Sequence, residues 1–197
     1  ILPEHYPIVG ECLLEAISIV FGDAATDEVL SAWGEAYQQL ADILINAEEA
    51  VYLANEQKTG GWRGEREFVL VRKEKESEVI TSFYFEPVDA GPIADFKPGQ
   101  YIGITLTING QKVRRNYSLS NCPGDDYYRL SVKRENDGMV STLLHDKLRP
   151  GDNVKLTAPA GDFILEESER PLILLTGGVG ITPAISMLEP ALQSGRS

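Results

Sequence analysis

Residues 101–118 read YIGITLTINGQKVRRNYS, and this stretch decides the fold. Ile102, Ile104, Leu106 and Ile108 recur with a period of two, which marks a strand with one buried face. Asn109-Gly110 supplies two residues that tolerate positive φ, as a two-residue hairpin requires, so the following segment returns antiparallel. On that returning strand Arg115 and Tyr117 fall on one face, Asn116 and Ser118 on the other. An arginine beside a tyrosine suits an anionic, partly aromatic ligand, the guanidinium holding phosphate and the phenol covering a flat ring. A surface arginine next to a half-buried tyrosine is the plainer alternative.

The same period extends in both directions. Residues 68–71, 79–85, 113–120, 128–133 and 154–157 read as further short strands joined by proline and glycine turns, so a closed antiparallel barrel is expected. After Lys133-Arg134-Glu135, the run Asn136-Asp137-Gly138-Met139-Val140-Ser141 opens a short helix with Val140, Leu143, Leu144 and Leu148 on one side. Its free N–H groups suit a phosphate, and His145 is placed on its surface. Further on, Leu172-Ile173-Leu174-Leu175-Thr176 has no alternation, as in a strand buried on both faces. Gly177-Gly178-Val179-Gly180-Ile181-Thr182-Pro183 then reads as a turn into a helix capped by Thr182 and interrupted by Pro190.

Upstream of the barrel the period is helical. Ile8, Val9, Cys12, Leu13, Ala16, Ile17 and Val20 form one stripe, ended by Gly22. Thr26 or Asp27 caps a second helix, expected to run to about residue 54, whose stripe includes Val29, Trp33, Tyr37, Leu40, Leu44 and Val51. Glu48 lies inside that stripe, and a buried carboxylate needs a partner. Tyr6 lies on the apolar side of the first helix. An acid reaching water and an ordinary core tyrosine is the bland alternative for this pair.

The net charge of −12 is uneven: eleven acids stand against Lys58 alone in residues 1–58, leaving the rest close to neutral. That asymmetry suggests two modules and argues against nucleic acid. Cys12 and Cys122 are too few for a disulfide framework, no metal site is expected within the chain, and no run approaches a membrane span or signal peptide. A cytoplasmic location is therefore expected.

Taken in order, Arg-x-Tyr-Ser on a barrel strand, a glycine-led helix after Lys-Arg-Glu, and TGGVGITP resemble the ferredoxin-reductase type of FAD/NAD(P)H oxidoreductase. PEHYPIVGECLL, Ala32 to Tyr37, Ile45-Asn46-Ala47-Glu48 and Gly60-Gly61-Trp62 further resemble the last two globin helices and junction of the flavohaemoglobins. The resemblance implies an α+β multidomain chain. Its parts would be the end of a globin domain (1–58), a six-stranded Greek-key FAD barrel with one short helix (62–167), and the first strand-turn-helix of an NAD(P)H domain (170–197). It implies FAD contacts at Tyr101, Arg115, Asn116, Tyr117, Ser118, Gly138, Met139, Val140 and Ser141. NAD(P)H would meet Gly177, Gly178, Val179, Gly180, Ile181 and Thr182, and Tyr6 and Glu48 would form a relay to a haem-ligating histidine outside this chain. The implied reaction is oxidation of NO to nitrate by O2, with electrons passing from NAD(P)H through FAD to haem b, in a fragment of a larger enzyme with no obligate protein partner. A haem-free flavin or ferric reductase, and a flavin-binding interaction module with a basic partner, are the alternatives.

Overall fold

The computed structural model describes residues 2–195 and divides into two units, one ending at Ala54 and the other beginning at Asn55. Each is taken by itself.

In the first unit a 3-10 turn, Pro3–His5, leads into helix α1, Tyr6–Phe21, and Gly22 ends it with φ +52°. A second turn, Gly22–Ala24, precedes α2, Asp27–Glu56. Thr26 caps α2 through Oγ1, which accepts from the Val29 N–H at 3.4 Å. The two helices approach closely because Gly10 has no side chain: a Cβ there would lie 2.7 Å from the Tyr37 ring. Tyr37 donates its hydroxyl to the Tyr6 carbonyl at 2.7 Å. Within the two helices the buried residues are Tyr6, Gly10 and Ala41, while Ile8, Val9, Val20, Trp33, Leu40, Leu44 and Val51 of the stripes stay exposed.

The second unit is an antiparallel sheet of β1 (Glu65–Lys75), β2 (Ile80–Pro87), β3 (Tyr101–Ile108), β4 (Gln111–Ser118), β5 (Tyr128–Lys133) and β6 (Asn153–Thr157). Its order is β4-β3-β6-β1-β2-β5, and the bridge Leu119↔Leu130 brings the two edge strands together, so the sheet closes as a barrel. The β3–β4 hairpin turns on Asn109 (φ +51°) and Gly110 (φ +79°), which is the geometry that pair of residues favours. Phe68, Leu70, Phe83, Phe85, Ile102, Ile104, Leu130, Val132 and Leu156 fill the interior. Helix α3, Met139–Asp146, adds Val140 and Leu144 to the same core. Helix α4, Ile181–Gln193, is held to the loop before β3, where the Gly99 N–H donates to Ser186 Oγ at 2.9 Å. Gly99 is required there: φ is +101°, and a Cβ would come within 2.1 Å of the Phe163 carbonyl oxygen.

Four expectations need correction. Residues 172–176 form no strand: among the described residues nothing pairs with them, and Ile173 and Leu175 are 80% and 93% exposed. Apolar composition alone does not make a strand, because its N–H and C=O groups need a neighbouring ladder. Helix α4 passes through Pro190 and continues to Gln193. Thr182 does not cap α4 but sits in its first turn, donating its hydroxyl to the Val179 carbonyl at 3.0 Å, with Gly180 at the N-cap. His145 is half-buried, its Nε2 2.9 Å from the Val132 carbonyl and its ring edge-on to Phe83, so it docks α3 on the barrel.

Candidate active site

Strand alternation separates the two arginines of the opening stretch. Arg114 pairs across the ladder with Thr105 and reaches Glu65 on β1 at 2.7 Å, while the Thr105 hydroxyl donates to the same carboxylate at 2.6 Å. That hydroxyl and guanidinium hold the Glu65 carboxyl below the usual glutamate pKa. Arg114 therefore belongs to the scaffold. Arg115, one residue on, carries its guanidinium to the other side, and its Nη1 donates to the Arg114 carbonyl at 2.8 Å.

A cleft of about 650 Å³ opens beside the isolated bridge Leu119↔Leu130, which joins the end of β4 to β5. Its volume suits a cofactor-sized ligand. Because β4 is an edge strand, residues of both its faces border the opening: Arg115 and Tyr117 from one, Asn116 and Ser118 from the other. Tyr117 is half-buried against the core, and burial raises its phenol pKa despite the Arg115 charge. The opposite wall is the start of α3, where Gly138, Met139, Val140 and Ser141 line the cleft.

The orientation of α3 has an identifiable cause at its far end. Lys73 on β1 donates from Nζ to the carbonyls of Leu144, His145 and Leu148 at 3.0, 2.8 and 3.0 Å. An ammonium there satisfies carbonyls left over at a helix C-terminus and complements the negative end of its dipole. Burial pulls the Lys73 pKa below the usual lysine value. With that end anchored, and with Arg134 paired to Asp146 at 2.8 Å, the N-terminus of α3 faces the cleft. No side chain caps that N-terminus, so its first N–H groups remain for a ligand's oxygen atoms.

The cleft gathers most of the residues expected from sequence. Arg115 to Ser118 and Gly138 to Ser141 line it, as do Val179, Gly180 and Thr182 from the later glycine turn. Gly177, Gly178 and Ile181 do not. Tyr101 is paired with Ser118 across the hairpin, but its ring lies against Gly161, where a Cβ would approach within 2.8 Å, and it is not in the lining. Sequence reasoning missed Ser131, Lys133, Glu135, Asp137 and Pro183. The alternation on β5 was the available signal, since Leu130 and Val132 enter the core and force Ser131 and Lys133 to the other face. Lys133 and Glu135 pair at 2.7 Å, which neutralises one of the two acids on the rim.

In the first unit, Tyr6 donates its hydroxyl to Glu48 Oε2 at 3.2 Å. Burial, followed by the Glu48 carboxylate, raises the Tyr6 pKa. Tyr37, which fixes the Tyr6 backbone, was not singled out by the sequence because it lies in an ordinary apolar stripe.

Residues 67–164 match the family model of the oxidoreductase FAD-binding domain. The whole chain is 61% identical over 197 residues to a flavohemoprotein of Pseudomonas aeruginosa and 60% identical over 198 residues to one of Pseudomonas putida, covering 50% of each. Over its full length the chain is similar to flavohemoproteins. It spans about half the length of the curated flavohemoproteins it matches. Among solved structures, a flavohemoglobin from Malassezia yamatoensis with bound FAD and heme aligns with 98% of this chain and 50% of its own, at TM-score 0.86 and 29% identity. The flavohemoglobin-like FAD/NAD binding domain of a Vibrio cholerae nitric oxide dioxygenase aligns with 67% of this chain and 59% of its own, at TM-score 0.64 and 45% identity.

Proposed function

We propose that this chain is the flavin-binding portion of a flavohemoprotein that oxidises NO to nitrate with O2, drawing electrons from NAD(P)H. The observation that carries the reading is the cleft itself, in which an arginine-tyrosine-serine run faces the uncapped N-terminus of a helix. Those residues fit FAD chemically. Arg115 and the N–H groups of Met139 to Ser141 would hold its phosphate charge, Tyr117 would cover the ring system, and Asn116 and Ser118 would hydrogen-bond its polar edge. Tyr101 would complete the flavin contacts from the neighbouring strand. Bound FAD supplies acceptance of a hydride and delivery of single electrons, chemistry that no side chain here offers. The chain's own contribution is to bind, orient and screen the cofactor.

The glycine turn, Gly177 to Thr182, would approach NAD(P)H. Tyr6 and Glu48, already hydrogen-bonded to each other, would orient a haem-ligating histidine carried elsewhere in the full-length protein. In domain terms, residues 1–58 would close a globin domain, 62–167 hold FAD and 170–197 begin the nicotinamide domain. The substrates are small molecules, and the reading calls for no nucleic acid and no obligate protein partner. Among the described residues no helix is long and apolar enough to cross a membrane, which accords with work in the cytoplasm.

The test is the visible spectrum of the full-length protein followed by NAD(P)H-dependent NO consumption. Flavin absorption together with a haem Soret band is expected, with flavin content falling at least several-fold in Arg115→Ala. Flavin absorption alone, with haem available during expression, would leave a haem-free NAD(P)H reductase as the better account.

A further inference from the structure

Beneath the cleft three serines are joined in one line. Ser82 on β2 pairs directly with Ser131 on β5, and the bridge Leu119↔Leu130 brings Ser120 alongside. Their hydroxyl oxygens are 2.8 Å apart at both steps, Ser82 to Ser131 and Ser131 to Ser120. Ser82 and Ser120 are fully buried, and only Ser131 reaches the cleft. Each end of the line meets a charge. Ser82 Oγ lies 2.6 Å from Glu76 Oε1, and Arg129 Nε donates to Ser120 Oγ at 3.2 Å.

The end groups dictate which way every proton points. An ionised carboxylate only accepts and a guanidinium only donates. Ser82 must therefore give its proton to Glu76, because a 2.6 Å contact between two oxygens with no proton between them is repulsive. The Ser82 oxygen then accepts from Ser131. With the single proton of Ser131 so committed, the remaining 2.8 Å contact requires Ser120 to donate to Ser131, leaving the Arg129 carbonyl at 3.1 Å as its longer, secondary acceptor. A serine oxygen has two acceptor sites, and Ser120 fills one of those on Ser131. The other remains for the cleft.

We propose that Ser131 is a ligand-binding residue that accepts a hydrogen bond from a donor group of the bound flavin, a polyol hydroxyl or ring N–H, and that Glu76 and Arg129 act through Ser82 and Ser120 to fix this polarity. The proposal rests on the FAD reading above and deepens it. A phosphate, which carries only acceptors at neutral pH, is not matched to Ser131. The cleft is thus divided: anionic oxygens go to the start of α3 and to Arg115, and the donor-bearing part of the flavin lies over Ser131.

The test measures dissociation constants of FAD, riboflavin and ADP for the flavin-stripped full-length protein, by flavin fluorescence and calorimetry. Ser131→Ala should weaken FAD and riboflavin by about 3- to 10-fold, the range of one ordinary hydrogen bond, and leave ADP within about two-fold. Glu76 is exposed, so Glu76→Ala keeps the fold, and it should reproduce part of that loss. The double variant should bind FAD no more weakly than Ser131→Ala alone, since both act on one contact. Glu76→Gln, which retains an acceptor oxygen, should restore FAD affinity to within about two-fold of wild type. Equal losses for ADP and FAD, or fully additive losses in the double variant, would overturn the proposal. Failure of the unmodified protein to bind any flavin would instead bring down the FAD reading on which it stands.

Discussion

Lys73→Met removes three hydrogen bonds while keeping an unbranched stem of similar length against the Phe83 ring, which Nζ approaches to 5.1 Å. A hydrogen bond involving a charged group contributes roughly 1.5–3 kcal/mol net, and three bonds sharing one ammonium do not add in full. The carbonyls of Leu144, His145 and Leu148 lie at a helix end, where water recovers part of the loss. The expected cost is therefore about 2–3 kcal/mol, concentrated in the docking of α3. At about 3 °C per kcal/mol for a unit of this size, Tm falls by roughly 6–9 °C. Hydrogen exchange at the amides of Lys147 and Leu148, which both bond to the Leu143 carbonyl, should quicken by about 30- to 150-fold. Lys73→Arg should lose an intermediate amount, because a planar fork does not converge on three carbonyls as an ammonium does. Affinity for FAD should fall with α3, whose other end lines the cleft. A lowered Tm with unchanged exchange in α3 would refute the reasoning, since Lys73 would then be acting through β1 alone.

Tyr6 should titrate above the ordinary phenol value of about 10. Glu48→Gln should bring it back toward normal in an ultraviolet titration, and an unmoved midpoint would remove the Glu48 contribution. Glu65 has a depressed pKa, so its contribution to stability is present above the usual glutamate range and is lost as pH falls through the lower, folded-state value. Glu65→Gln should accordingly flatten the loss of stability between about pH 5 and pH 3 in urea melts, and an unchanged acid limb would argue against it. Burial and the nearby Glu189 carboxylate, with Sγ 2.8 Å from Oε2, push the Cys122 thiol up to about 11. Alkylation of Cys122 should be slow at pH 8 and faster in Glu189→Gln, as peptide mapping would report.

The sequence by itself determined the elements whose causes are local. Asn109-Gly110 fixes the hairpin because those two residues accept positive φ, and the alternation of Ile102, Ile104, Leu106 and Ile108 fixes which side of β3 enters the core. The cap at Thr26 and the stop at Gly22 are likewise short-range. What lies between distant segments was left to tertiary structure. That Arg114 belongs to Glu65 while Arg115 belongs to the cleft depends on the pairing of β4 with β3 and of β1 with β6. Residues 172–176 have the composition of a buried strand, but a strand exists only with a partner ladder, and composition does not provide one. Lys73 looks like any exposed lysine until α3 brings three carbonyls to it. The serine line is the clearest case: Ser82, Ser120 and Ser131 are unremarkable in the chain, and only a closed barrel sets their hydroxyls 2.8 Å apart between a carboxylate and a guanidinium. Side-chain period and turn chemistry act over a few residues, whereas the polarity of a buried hydrogen bond depends on whatever folding places next to it.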